Sequence, residues 1–223
     1  MSGWLARQAR RLVNPNEAPV SIGQARAWTL VPLGNPGSEY AETRHNLGRL
    51  LLQRWVDSHC PNPGGIHTFP SGTLYSLKEP FLALVPATYM NLSGQVCREA
   101  VNADFAPARL ILLHDDKDLP LGMGRFRLSG SDGGHNGLRS TFDALDTSEV
   151  PRLRLGIGPF VRPLDQFVLG TWTDEEWSRI EALDVPFARF MEALASVDEL
   201  GELPGRVNGE AFWLAEKSIE PQG

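Results

Sequence analysis

Cysteine and long apolar runs are both scarce in this chain of 223 residues. Its two cysteines, Cys60 and Cys97, are too few for a disulfide framework or a paired-cysteine zinc site, so nothing indicates an oxidising compartment. The longest candidate apolar stretch, residues 81–85, is far shorter than the ~18 residues that a membrane-spanning helix needs. The sequence therefore excludes membrane-spanning helices and small disulfide-rich folds.

An overall surplus of basic side chains, which would point directly to a nucleic-acid partner, is also missing. The formal net charge is −6. Residues 1–150 carry 14 basic and 14 acidic side chains, whereas residues 151–223 carry 7 and 13. All the net acidity thus belongs to the last third of the chain, and a locally basic groove remains compatible with the charge balance.

Acidic residues are absent before Glu17, in a segment that carries Arg7, Arg10 and Arg11. An acid-poor, arginine-bearing start is compatible with an organelle-targeting peptide, but a single short amphipathic turn is weak evidence for one. We therefore assign residues 1–27 to a mobile or surface-docked extension. We expect a cytoplasmic protein, or one of an organelle matrix if this extension is a targeting peptide.

Strand and helix signals alternate along the rest of the chain. The predicted strands are short apolar or alternating runs at residues 28–33, 72–78, 81–85, 110–113, 124–128 and 152–157. The predicted helices cover residues 47–58, the segment from Ser93 to before Pro107, residues 136–145, and a segment that Thr173 caps and Pro186 breaks or kinks. Residues 59–71 and 129–134 are predicted loops. The alternation predicts one α/β domain, residues 28–215, with helices on both faces of its sheet and a short tail, residues 216–223.

Polar side chains follow several of these strands. They are Asn35 and His45 after the first strand, Thr88 and Asn91 after residues 81–85, His114 and Asp115 after residues 110–113, and His135 and Asn136 after the glycine-rich loop. Ligands of open α/β sheets bind beyond the carboxyl ends of the strands, so these side chains should converge. Histidine can act as a general base near pH 7, a carboxylate can orient it, and amides can hold carbonyl or hydroxyl groups. The set predicts hydrolysis by an activated water.

Motifs for other chemistries are missing. There is no G-x-x-x-x-G-K-[ST], and Gly122-Met-Gly124 is followed by Arg-Phe-Arg instead of a third glycine that opens a helix. Ser93 lacks a G-x-S-x-G context and neither cysteine lies beside a candidate base, so water is favoured over a covalent nucleophile. Residues 114–118 have oxygen ligands for a divalent ion, but Lys117 supplies their counter-charge. We expect neither a metal nor a cofactor.

Five separated motifs run through the domain. They are Leu33-Gly-Asn-Pro-Gly37 with Thr43-Arg-His-Asn46; Pro86-Ala-Thr-Tyr-Met-Asn-Leu-Ser-Gly94; His114-Asp-Asp116 with Asp118-Leu-Pro120; Gly133-Gly-His-Asn-Gly-Leu138; and Arg152-Leu-Arg-Leu-Gly-Ile-Gly158 with Phe167-Val-Leu-Gly170. In content and order they resemble the bacterial-type peptidyl-tRNA hydrolases. The resemblance implies a single domain with a twisted mixed sheet and an esterase that releases the peptide from peptidyl-tRNA without a metal or cofactor. It also implies contacts with the 3′ CCA end and acceptor-side phosphates of the tRNA.

The resemblance assigns roles to individual residues. His45 is implied to be the general base and Asp115 the carboxylate that orients it. Asn35, Asn91 and Asn136 are implied to position the 3′-terminal nucleotide, the peptide main chain and the attacking water. The remaining implied contacts are Tyr40 and Met90 in the pocket wall, His135 at the mouth of the cleft, and Arg127 and Arg154 on tRNA phosphate, assisted by Arg125.

Two departures and two alternative functions accompany this resemblance. Pro32 replaces a glycine that is usual in the first strand, which predicts an edge or a bulge there, and Lys117 replaces an apolar residue. The alternatives are a non-catalytic RNA-binding relative and a hydrolase of small esters or amides. Only binding through phosphates should weaken steeply with ionic strength. No heptad or large apolar helix face demands a partner, so we expect a monomer without membrane contacts.

Overall fold

The computed structural model describes residues 27–60, 63–104 and 109–214. The predicted tail, and the predicted extension apart from Ala27, lie outside the described residues, so the division of the chain stays a prediction. Among the described residues, no helix combines the length and the apolar character needed to cross a bilayer.

The described residues form a sheet of seven strands. The strands are β1 (Trp28–Pro32), β2 (Gly64–Phe69), β3 (Gly72–Ser76), β4 (Phe81–Pro86), β5 (Leu110–Pro120), β6 (Gly124–Arg127) and β7 (Arg152–Gly158). Their spatial order is β2-β3-β4-β1-β5-β7-β6. β1 is parallel to β4 and β5, and β5 is parallel to β7, whereas the β2–β3, β3–β4 and β6–β7 pairs are antiparallel. The sheet is therefore mixed.

Helices connect and cover these strands. They are α1 (Leu47–His59), α2 (Gly94–Asn102), α3 (Asn136–Leu145), α4 (Leu164–Leu169), α5 (Asp174–Glu181), α6 (Asp184–Ala195), α7 (Leu203–Val207) and α8 (Glu210–Trp213). One core contains side chains of α1, α6 and α7, and a second core, on the other face, contains side chains of α2 and α3. In β1, Leu30 belongs to the first core and Val31 to the second, and every residue of the strand is buried. Burial on both faces explains why β1 reads as a continuous apolar run.

Two predicted elements differ from the structure. β5 was predicted to end at residue 113, but it continues to Pro120 because it pairs with β7 as far as Gly158. Residues 59–71 were predicted to be a loop, but β2 lies within them and pairs with β3. β2 is the edge strand of the sheet, so it does not need the apolar pattern that reveals a central strand.

The sequence also predicted local effects of two prolines, Pro32 and Pro186. Pro32 lies in the central strand β1, paired with Leu113, and neither at an edge nor at a bulge. Because the next backbone N–H, that of Leu33, faces β5, the Pro32 nitrogen faces β4, where the pairing has already ended at Leu30, so no ladder bond is lost. Pro186 lies where the helical region is broken, as predicted: α5 ends at Glu181 and α6 begins at Asp184. It occupies the first turn of α6, where backbone N–H groups have no intrahelical partner.

The sheet topology creates one crowded end. The chain leaves β1, builds the sheet on the β4 side and then crosses to β5 on the other side of β1. Ligand sites of such sheets lie where the strand order changes direction. β1 pairs with β5 only as far as Pro32 opposite Leu113, so β5 carries His114 and Asp115 beyond the end of its neighbour.

Candidate active site

A cavity of about 1020 Å³ lies at this end of the sheet. Nine of the predicted site residues line it: Asn35, His45, Met90, Asn91, Asp115, Arg127, His135, Asn136 and Arg154. They come from loops after β1 and β4, from β5, from the start of α3 and from the antiparallel strands β6 and β7. The predicted convergence of strand-end side chains is thus what the structure shows.

A buried histidine–carboxylate pair lies in this cavity. His45, in the short 3₁₀ turn Arg44–Asn46 before α1, is 9% exposed, and Asp115 on β5 is 4% exposed. The His45 Nδ1 lies 2.9 Å from the Asp115 Oδ1. Because a carboxylate only accepts hydrogen bonds, Nδ1 carries the proton. The lone pair of His45 then resides on Nε2, the atom that a general base must present.

The protonation states of this pair follow from burial and charge. Burial by itself lowers the pKa of His45, but the charge and hydrogen bond of Asp115 outweigh it, so the pKa is raised. Burial would raise the pKa of Asp115, yet His45 and His135 hold it well below its usual range. Asp115 is therefore ionised, and it stabilises the imidazolium form that a general base adopts during reaction.

His135 makes a second contact with the same carboxylate. Its Nε2 lies 3.0 Å from the Asp115 Oδ1, while its Nδ1 accepts from the backbone N–H groups of Gly137 (3.1 Å) and Leu138 (3.3 Å). His135 therefore caps α3 and donates from Nε2 to Asp115. Both of its nitrogens are used, whereas the Nε2 of His45 has no partner among the described residues, so His45 is the one of these two imidazoles with a nitrogen available to accept a proton.

These three side chains also have the residue types of a metal site. His45, Asp115 and His135 offer ligand atoms within 4.8 Å of one another, the one such group among the residues that the structure describes. The Asp115 Oδ1 already accepts from both imidazoles, and the His135 Nδ1 already accepts from backbone N–H groups. The arrangement is that of a hydrogen-bonded acid–base cluster.

Asn35 is held by two neighbours in the loop after β1. Its Oδ1 accepts from the Met90 N–H at 2.8 Å, which joins this loop to the turn after β4. Its backbone N–H donates to the Asn46 Oδ1, and the Asn46 Nδ2 donates to its carbonyl, both at 2.9 Å. These contacts leave the amide N–H groups of Asn35 as donors for a bound molecule. Sequence reasoning missed the positioning role of Asn46, although it directly follows His45 in a quoted motif.

Asn91 and Asn136 flank the cavity from different elements. Asn91 lies in the 3₁₀ turn Met90–Leu92, and Asn136 is the first residue of α3. Both side chains are exposed and form no hydrogen bond with any residue that the structure describes. The glycines before α3 adopt the left-handed backbone, with φ of 58° at Gly133 and 81° at Gly134, and this turn brings Asn136 to the cavity. Both amides are available to a ligand.

Four arginines share one face of the antiparallel strand pair β6–β7. Arg125 pairs with Arg154 and Arg127 with Arg152, and residues at alternate positions of a strand lie on the same face. The Arg154 Nε contacts the Asp116 Oδ2 at 2.6 Å. Like charges placed directly opposite each other are unfavourable, so this strand pair forms a positively charged strip suited to anions. Arg127, Arg152 and Arg154 line the cavity.

Arg152 is the member of the strip that sequence reasoning missed. It is 4% exposed, and its Nη1 and Nη2 donate to the carbonyls of Val150 and Ser131, each at 3.1 Å. Burial is the main cause that lowers the pKa of Arg152, and the charges of Arg154 and Arg127 lower it further. A signal was available in the sequence, since Arg152 and Arg154 alternate in the same motif.

A family model described as Peptidyl-tRNA hydrolase matches residues 29–211. The chain belongs to this family. A peptidyl-tRNA hydrolase of Methylacidiphilum infernorum is 38% identical over 168 residues, which are 74% of this chain and 89% of the relative. One of Carboxydothermus hydrogenoformans is 42% identical over 164 residues, 69% of this chain and 84% of the relative. The crystal structure of peptidyl-tRNA hydrolase from Acinetobacter baumannii matches with a TM-score of 0.71 and 30% identity, covering 82% of this chain and 95% of that one. The predicted family and α/β fold class are confirmed.

Tyr40 is placed differently from the other predicted contacts of this family member. It is not among the residues that line the cavity, and instead packs edge-to-face on Tyr89, with ring centroids 6.3 Å apart. Tyr89 is 55% exposed and lines the cavity. Sequence reasoning thus named the supporting ring and missed the presented one, which occupies a quoted motif next to Met90.

His114 is a third histidine of the cavity wall. Its Nδ1 lies 2.8 Å from the Asp115 carbonyl, and its ring packs edge-to-face on His135 with centroids 5.0 Å apart. Burial is the main reason that the pKa of His114 lies well below the usual value, and the charge of His135 lowers it further. This imidazole is therefore neutral. It therefore adds no positive charge that would compete with His45 for Asp115.

Proposed function

We propose that this family member hydrolyses the ester bond between the peptide and the 3′ end of tRNA in peptidyl-tRNA, with His45 as the general base toward water. Family membership supports the reaction and the substrate class. The observation that carries the mechanism is the hydrogen bond between the His45 Nδ1 and the ionised Asp115 inside the cavity.

The reaction starts with a water held by the amides of Asn35 and Asn91. His45 Nε2 takes a proton from this water, and the water oxygen forms a bond to the ester carbonyl carbon. An amide donor, which we assign to Asn91, stabilises the oxyanion of the tetrahedral intermediate. The bond from that carbon to the 3′ ribose oxygen then breaks, and the ribose oxygen receives the proton from His45. The products are a free tRNA 3′ hydroxyl and a peptide carboxylic acid, which releases the second water proton to solvent and becomes a carboxylate near pH 7.

Two other amides and one ring complete the proposed substrate contacts. Asn136, at the start of α3, holds the peptide main chain or the terminal nucleotide through a side chain that has no internal hydrogen bond among the described residues. Tyr89 offers an exposed aromatic face to the same cavity. Aromatic faces stack on bases without selecting their sequence, which suits a site that must accept many tRNAs.

The arginine strip of the strand pair β6–β7 is the proposed contact for tRNA phosphate. Arg127 is exposed and has no ion pair or hydrogen bond with the residues that the structure describes. Arg154 is partly neutralised by Asp116, which fixes the direction of its guanidinium. Each phosphate that such a side chain neutralises adds salt dependence to binding, with a slope of about −0.7 to −0.9 per contact.

Substrate class is tested with three substrates of the wild-type protein: an N-blocked aminoacyl-tRNA, its unblocked counterpart and a small activated ester. We expect release of the N-blocked amino acid, with the unblocked counterpart spared, at a kcat/KM that falls as salt rises. Turnover of the small ester alone, without salt dependence, would favour the small-ester hydrolase. Tight tRNA binding without release would instead favour the non-catalytic RNA-binding relative.

A further inference from the structure

Helix α4 forms part of the cavity wall but has little packing of its own. Its residues Leu164, Asp165, Val168 and Leu169 line the cavity. None of its residues is fully buried, but Phe167 and Val168 are half-buried and pack against the first core, so the hydrophobic effect holds α4 only in part. Its principal contacts among the described elements are with the turn Arg44–Asn46, which carries His45. The position of this wall therefore depends on its contacts with the turn as well as on this partial packing.

Arg44 joins the turn to the segment that follows α4. Its backbone N–H donates to the Gly170 carbonyl at 3.1 Å, directly after the end of α4, and its Nη1 donates to the Thr171 carbonyl at 2.7 Å. Its Nη2 contacts both carboxylate oxygens of Glu176, at 2.9 and 2.7 Å. One side chain thus connects the segment from α4 to α5 with the residue that precedes His45.

Aromatic rings of the same segment enclose the guanidinium. The Arg44 Cζ lies 4.9 Å from the ring centroid of Phe167 and 5.1 Å from that of Trp172. The Arg44 side chain is only 11% exposed, so these interactions are weakly screened by solvent. A planar guanidinium can stack on rings and donate several hydrogen bonds together, whereas a lysine ammonium retains the charge without this geometry.

Glu176 is itself held in place before it meets Arg44. Its Oε2 accepts from the Thr173 N–H at 2.8 Å, and the Thr173 Oγ1 accepts from the Glu176 N–H at 3.2 Å, which forms a capping box at the start of α5. Burial would raise the pKa of Glu176, but the hydrogen bond from Arg44 and that of Thr173 lower it. The carboxylate is therefore charged and fixed in orientation.

We infer that Arg44 is a positioning residue that holds α4 against the cavity and so sets the affinity for substrate, while His45 beside it performs the chemistry. This inference rests on the proposed function for its kinetic consequence only. The Arg44 guanidinium contacts neither His45 nor Asp115, so loss of its contacts loosens the wall and leaves the base intact.

The test compares Arg44→Lys and Glu176→Gln with wild type. Glutamine can still form a capping box, so Glu176→Gln removes the charge from the pair and keeps α5 capped. The matched control is Arg54→Lys, which alters another arginine–carboxylate pair, between α1 and Asp184, away from the cavity. If the fraction of molecules that hold α4 in the position seen in this structure falls to about a tenth, KM rises about tenfold.

For Arg44→Lys we expect that rise in KM, with kcat and the acid limb of the pH profile unchanged. Glu176→Gln should raise KM by less. Arg54→Lys should leave KM unchanged. Amide hydrogen exchange at Phe167 and Gly170 should accelerate at least tenfold, with the amides of α1 unaffected. An unchanged KM, or a fall in kcat with a shifted acid limb, would overturn the inference. If wild type released no peptide, the proposed function would fail, and the exchange measurement would still decide whether Arg44 holds α4.

Discussion

Replacement of Asp115 by asparagine tests the electrostatic part of the mechanism. The change keeps the size of the side chain but removes a buried negative charge whose Oδ1 lies 2.9 Å from His45 and 3.0 Å from His135. The asparagine amide group can donate where both imidazoles require an acceptor. We therefore expect His45 to lose both its orientation and the partner of its charged form.

The size of the effect follows from the distance. Taking the two charges to be about 4 Å apart, at an effective dielectric constant of about 20, they interact by about 4 kcal/mol. The imidazolium of His45 forms only as the water is deprotonated, so this energy is lost mainly from the transition state. Since about 1.4 kcal/mol corresponds to tenfold in rate, we expect kcat to fall about a thousandfold.

The same substitution should also shift the pH profile of kcat/KM in a definite direction. In wild type, Asp115 raises the pKa of His45, and the base is lost as the pH falls through that raised value. Without the carboxylate, burial alone acts on His45 and lowers its pKa below the ordinary value of about 6.5. The acid limb of kcat/KM should therefore move to lower pH in Asp115→Asn.

The assay is release of an N-blocked amino acid from tRNA between pH 5 and 8, with thermal melting of each variant as a check on folding. The matched control is Asp143→Asn, an exposed carboxylate on α3 outside the cavity. Activity of Asp115→Asn within tenfold of wild type, or an acid limb displaced to higher pH, would refute the reasoning.

Three further predictions concern binding and stability. Arg127→Ala should weaken tRNA binding and make the salt slope of log K shallower by about one unit, measured by titration at several salt concentrations; an unchanged slope would remove Arg127 from the contact surface. Gly48→Ala should lower the free energy of unfolding by about 1–3 kcal/mol in urea, because a Cβ there would lie 2.5 Å from the Leu113 carbonyl oxygen. Gly205→Ala is the control, since its Cβ would meet nothing within 4 Å, and it should be neutral or stabilising. Thr173→Ala should cost about 1 kcal/mol through loss of the capping box, visible as a lower Tm, and an unchanged Tm would count against that cap.

Local signals account for the elements that were predicted well. α3 runs over Asn136–Leu145 as predicted, because the glycine-rich loop fixes its start. Thr173 caps α5 with its side chain as predicted, and Glu176 of the acidic first turn completes the capping box. The elements that differ depend on distant partners. β2 is a strand only because it pairs with β3, and β5 continues past residue 113 because β7 lies beside it.

The same distinction applies to the site. His45 and Asp115 could be predicted because their residue types suit acid–base chemistry and because the quoted motifs resemble the family. The contacts of Asn46, Tyr89 and Arg152 involve distant partners: a backbone held from 11 positions away, a ring supported by Tyr40, and a register that places arginines opposite each other. Only Arg152 had a local signal, its alternation with Arg154.

Single-turnover release of an N-blocked amino acid from tRNA by His45→Ala tests the central claim most directly, with His67→Ala, an exposed histidine on the edge strand β2, as the control. General-base catalysis typically contributes 10²–10⁴-fold, so we expect a loss of roughly that size in His45→Ala, with tRNA affinity retained and His67→Ala equal to wild type. A rate for His45→Ala near that of wild type would contradict the assignment of His45 as the base.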